Sequence, residues 1–177
     1  MRPFSNLHTN LDTTGQCSNA EVVSKVTRSE NRAEVELEYA QSSFFNIDIN
    51  RKLEVKIARD VEIDLVIQSG AGDISIDLER LRVTNLDMEA GAVSAELVTP
   101  AMAGFTDATI GIGAASLEVT VPEEVAARIR VDAGMSSVDI DDRFPKVNGL
   151  HESPDYDTAA HRLNLEVVGG AASIEVE

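Results

Sequence analysis

From Glu62 to the C-terminus, aliphatic and polar residues alternate in short runs, and the runs recur. The stretches GAGDISIDL (70–78), EAGAVSAEL (89–97), GIGAASLEV (111–119), DAGMSSVDI (132–140) and VGGAASIEV (168–176) are variants of one pattern. Aligned on Gly72, Gly91, Gly113, Gly134 and Gly170, each copy carries serine three positions on (Ser75, Ser94, Ser116, Ser137, Ser173). Five positions on, each carries an acid: Asp77, Glu96, Glu118, Asp139 and Glu175. The positions between and after these two are apolar, as in Leu117 and Val119. A period of two predicts a strand with one buried face, with serine and acid on the other.

A second alternating run precedes each glycine: EIDLVI (62–67), LRVTNLDM (81–88), DATIGI (107–112), ARIRVD (127–132) and RLNLEV (162–167). The predicted unit is strand, glycine corner, strand. Glycine suits a corner because it accepts positive φ and close backbone approach. The aligned glycines are spaced 19, 22, 21 and 36 residues apart. A period near 20 implies stacked units, each burying its apolar face on its neighbours. The expected fold is all-β: a single-stack repetitive sheet of β-solenoid type, with two strands per repeat of about 20 residues.

The organisation follows from where the pattern starts and breaks. Residues 1–18 have no periodicity and are expected to be disordered. In 19–60, EVVSKVT (21–27) and AEVELEYA (33–40) read as paired strands turning at 29–32, and NIDI (46–49) and KLEVKI (52–57) as further strands. These are expected to cap the first edge of the stack. Residues 61–177 form the five-repeat domain. Its long last spacing marks an insertion at 141–160, DDRFPKVNGLHESPDYDTAA, which reads as a loop.

Composition narrows the function. The hydrophobic fraction of 43% is enough for a core, but aromatics are 4% and Trp is absent, which fits narrow layers better than a deep ligand cavity. Of the formal charge of −16, residues 61–177 carry −15. Nucleic acid and anionic lipid are therefore poor partners for the repeats; the acidity suits solubility, cations or a basic protein partner. Cys17 is the only cysteine, so no internal disulfide forms. The start lacks an apolar run of signal-peptide length, and no stretch is long and apolar enough for a spanning helix. The expected location is cytoplasmic or envelope-associated, without direct membrane insertion by this chain.

The run from Val61 to Glu177 resembles the toastrack-type β domains of bacterial envelope proteins, a group labelled "putative adhesin" or cell-wall-active antibiotic response (LiaF-like). The pieces that carry the resemblance are EIDLVIQSGAGDISIDL, LDMEAGAVSAEL, VTVPEEVAARIRVDAGMSSVDI and RLNLEVVGGAASIEVE. The resemblance implies a β-repeat fold, association with the envelope in some relatives, and no catalytic residues to carry over.

The chemistry present points the same way. If the strands pair in chain order, the five acids form a column, which a cation could exploit. A flat column does not supply the cage of oxygens that calcium needs, so a solvated face is expected. GAGD at 70–73 is the only copy bearing the aspartate of a calcium-binding nonapeptide. The glycines lead into acidic strands, unlike phosphate loops that lead into helices. His151 and His161 share the insertion with Glu152, Asp155 and Asp157, but their spacing matches no zinc pattern. The repeated serines lack a nearby base. The expectation is a non-enzymatic structural or protein-interaction domain of a bacterial envelope-linked or regulatory protein, without cofactor or metal, with the five acids as a candidate interaction face. A carbohydrate-binding or carbohydrate-active solenoid, and self-assembly into homo-oligomers through exposed sheet ends, are the alternatives.

Overall fold

The computed structural model describes the backbone of residues 20–29 and 32–41, and residues 57, 59 and 61–177 in full. The expected disorder of 1–18 and the expected strands at 46–49 and over most of 52–57 lie outside the described residues. Two units result, residues 1–57 and 58–177. In the first, β1 (Ala20–Ser29) and β2 (Arg32–Gln41) pair antiparallel, with Ser29 opposite Arg32.

The second unit is one open sheet built on five long parallel strands: β3 (Glu62–Asp77), β4 (Arg82–Val98), β5 (Phe105–Thr120), β6 (Val125–Ile140) and β9 (His161–Val176). Each spans a whole repeat, so the two strands expected per repeat are the two arms of one continuous strand, with the ladder interrupted at the corner glycines.

Arithmetic shows that the strands fold back on themselves. A straight strand of 16 residues would run about 50 Å. Glu62 pairs with Arg82, yet only residues 78–81 separate the end of β3 from Arg82. Such a short connection reaches roughly 18 Å. The ends of β3 must therefore lie close together, which requires a sharp corner. Parallel neighbours ordinarily need a long crossover; here the folded strand itself makes the return.

The corner is written in the burial pattern. In β4 the buried positions are Val83, Leu86, Met88 and Ala90, then Val93, Ala95 and Leu97, with Gly91 and Ala92 both exposed between the two groups. The inward set thus changes phase at the glycine. On a straight strand that change would send the two sets to opposite faces. Instead both belong to one contiguous core. We call the segment before each glycine the first arm and the segment after it the second.

The glycine row itself differs from the expected alignment at one copy. Ser69 and Ala71 of β3 pair with Ala90 and Ala92 of β4, so Gly70 stands opposite Gly91. Gly72 stands opposite Val93, on the inner row, at φ 138°, a conformation that favours glycine. Nor is positive φ the reason for Gly91, Gly113, Gly134 and Gly170, none of which adopts it. Close approach is. A Cβ on Gly113 would lie 2.7 Å from the Gly91 carbonyl oxygen, and one on Gly170 would lie 2.8 Å from that of Gly113.

The strand order is β3-β4-β5-β9-β6, so the last repeat sits between the third and fourth. The column does not follow chain order. Beyond β6 lies a hairpin, β7 (Lys146–Val147) and β8 (Leu150–Glu152). The insertion expected to be a loop therefore extends the sheet. Asn148 (φ 52°) and Gly149 (φ 88°) both take positive φ, as the tight turn of a two-residue hairpin requires. β8 pairs antiparallel with Arg128 and Ile129 of β6, and Phe144 and Tyr156 are buried.

Candidate functional site

The two arms carry different outer faces. On the first arm, acids alternate with neutralising partners across the strands. One row reads Asp64, Asn85, Asp107, Asn164, Arg128, Glu152 from β3 to β8. Asn85 Nδ2 donates to Asp64 Oδ1 at 3.2 Å, and Asn164 Nδ2 to Asp107 Oδ1 at 2.8 Å. Arg128 Nε donates to Glu152, and Arg128 lies 3.7 Å from Asp157. At the start of the arm Arg82 pairs with Glu62 at 2.8 Å. Arg130 stands opposite Glu166 in the ladder.

The second arm has no such partners. Its strand segments, residues 71–77, 92–98, 114–120, 135–140 and 171–176, contain no Lys or Arg. Their outward residues fall into level rows. Ala92, Ala114 and Ala171 form one. Ser94, Ser116, Ser173 and Ser137 form the next, with Asp73 at its β3 end. Glu96, Glu118, Glu175 and Asp139 form the third. The side chains are short and the face is smooth, exposed and of one sign.

Four of the five sequence-predicted acids are therefore brought together. The fifth is not: Ser75 occupies its place opposite Glu96, and Asp77 stands one row further on, opposite Val98. This is the consequence of the two-residue offset in the first copy, where Gly70 holds the corner. The order along the column is Glu96, Glu118, Glu175, Asp139, because β9 separates β5 from β6.

The residues of the insertion serve its attachment. His151 Nδ1 lies 3.0 Å from the Phe144 carbonyl oxygen, and Glu152 holds Arg128. The Arg128 guanidinium sits 4.1 Å from the centre of the Tyr156 ring. The hydrogen bond with Glu152 raises the pKa of Arg128, while burial of the Tyr156 phenol raises that of Tyr156 against the opposing pull of Arg128. Ser153 Oγ accepts from the Ala127 amide at 2.9 Å. The two aromatics are structural plugs rather than an exposed platform. Sequence reading weighed His151, Glu152 and Asp157 only against a zinc pattern and missed the hairpin, although Asn148-Gly149 is the dipeptide that signals one.

Residues 7–120 match the family described as the N-terminal domain of toast_rack, DUF2154. The chain belongs to this family. The match starts well before the repeats, so it includes β1 and β2. A crystal structure of a "putative cell adhesion protein" from Clostridium sporogenes is similar in fold: TM-score 0.70, 16% identity, covering 89% of this chain and 75% of that one. No curated protein matches. Among the described residues, no helix is long and apolar enough to cross a membrane.

Proposed function

We propose that this toast_rack domain is a non-catalytic interaction module of an envelope-linked bacterial protein, and that it engages a basic protein surface through the second arm. The observation that carries this reading is the segregation of charge within one sheet. Every basic residue on the long strands lies in the first arm: Arg82, Arg128, Arg130 and Arg162. Like charges directly opposite each other weaken a sheet. The first arm avoids them with Asn and Arg, and the second stacks four carboxylates side by side. An uncompensated row on a rigid frame is a surface for charge-complementary docking.

The test is affinity capture from envelope and cytosolic extracts. Wild type is compared with a variant carrying Glu96→Lys, Glu118→Lys and Glu175→Lys, after thermal unfolding has shown that the variant folds. A partner held by wild type at low salt, released at high salt and absent from the variant is the expected result. Equal retention by both proteins overturns the proposal.

A further inference from the structure

The insertion completes only half of the β6 edge. β8 pairs with Arg128 and Ile129 on the first arm, and among the described residues no ladder reaches the same edge at residues 134–140. The inner rows of the second arm fray at this point. Val138 shares a row with Ala95, Leu117 and Ile174. Leu117 and Ile174 are each 1% exposed, while Val138 is 45% exposed. Ser136 Oγ, on the inner row one step nearer the corner, is buried with no hydrogen-bond partner among the described residues, and Met135, in the outward row of Ala171, is 82% exposed. An apolar row and a backbone edge thus end together.

We propose that the second-arm edge of β6 accepts an extended segment of a partner protein as a further strand, with apolar residues alternating with lysine or arginine. The backbone edge supplies the ladder, as in other cases of strand addition. Apolar residues of the added strand continue the rows of Val138 and Ile140. Its outward residue at the level of Asp139 joins the column Glu96, Glu118, Glu175, Asp139, where a further acid is repelled and a cation is attracted. A second copy of this chain lined up edge to edge through β6 brings Asp139 and no cation, so charge disfavours it. The inference rests on the acidic-face reading only for the sign of the partner's charge.

The test uses the full chain and two synthetic peptides, one alternating valine with lysine and one alternating valine with glutamate. The lysine peptide is expected to bind and to slow hydrogen exchange at residues 134–140, and the glutamate peptide to do neither. Val138→Lys, at an exposed position that tolerates a polar head, is expected to weaken binding about tenfold or more, and Asp139→Asn to weaken it by less. The Glu96, Glu118 and Glu175 lysine variant is expected to bind the lysine peptide more weakly, because the column it joins is reversed in sign, but to show protection at the same residues 134–140 at saturating peptide, because the backbone edge is intact. Binding lost in that variant and retained in Val138→Lys places the peptide on the flat face, which overturns the edge site and supports the face. Concentration-dependent mass abolished by Val138→Lys makes a second copy the occupant and overturns the partner segment. Neither binding nor protection overturns the edge proposal, while the face reading still stands or falls by the capture experiment.

Discussion

The Cα of Gly113 lies so close to the carbonyl of Gly91 that a Cβ placed on it would stand 2.7 Å from that oxygen. The oxygen belongs to the backbone of the adjacent strand and cannot move without disturbing the ladder. Gly113→Ala is therefore expected to cost about 1–3 kcal/mol, the usual range for forced overpacking. Gly111, two residues earlier on the same strand, is the control. A Cβ there would meet nothing closer than 3.8 Å, an ordinary contact. Gly111→Ala is expected to be neutral or slightly stabilising, because alanine loses less backbone entropy on folding. Urea unfolding of both variants checks the contrast, and equal losses would refute close approach as the reason for the glycine.

The carboxylate column should respond to salt. Glu118 stands between Glu96 and Glu175, with strands about 4.8 Å apart. Glu118→Gln is expected to stabilise the domain by a few tenths of a kcal/mol at low ionic strength, with the gain shrinking as salt screens the repulsion. On the first arm the same kind of change has the opposite sign. Asp107→Ala removes the acceptor for Asn164 Nδ2 and is expected to cost about 0.5–1.5 kcal/mol. Thermal unfolding across a salt series separates the two.

Phe144 is 1% exposed and belongs to the main core, although it arises in the insertion. Its loss should be felt as a core cavity rather than as a loop change. Phe144→Ala is expected to cost about 3–5 kcal/mol. A loss within about 0.5 kcal/mol, the scale of surface changes, would mean that the insertion does not seal the end of the stack.

Tyr156 offers a pH test. Burial raises its pKa above the ordinary value of 10.0, since the folded state favours the neutral phenol. A raised folded pKa contributes stability that is fully present below about pH 10 and is lost as pH rises through the folded value. Stability should fall above about pH 10, and Tyr156→Phe should remove that part of the fall. Tyrosinate absorbance in a Tyr39→Phe background, which leaves Tyr156 as the one tyrosine, reads the pKa directly.

Much of the sheet was legible in the chain. The alternation around Gly91, Gly113, Gly134 and Gly170 identifies the strands, the corner and the inward face, because each depends on residues adjacent in sequence. The first copy misleads: both Gly70 and Gly72 are available, and the serine and acid spacing selects Gly72. Only the neighbouring strand decides the matter, since the oxygen that excludes a side chain from Gly91 belongs to Gly70. The role of 141–160 was hidden for a related reason. Phe144 and Tyr156 have no periodic context, and their burial depends on reaching the exposed end of β6.

By itself, the sequence determined an all-β repeat stack, its period, its aliphatic core and the sign of its surface, for these follow from local alternation and composition. The tertiary structure alone decided which strands are neighbours. With β9 placed between β5 and β6, Glu175 joins Glu118 to Asp139, Asn164 comes to Asp107, and β6 is left at the edge with Val138 exposed. The physical reason is that every repeat offers nearly the same alternating ladder to its neighbours. The order of nearly equivalent strands is then set by how the chain returns through the insertion, and local sequence does not encode that path.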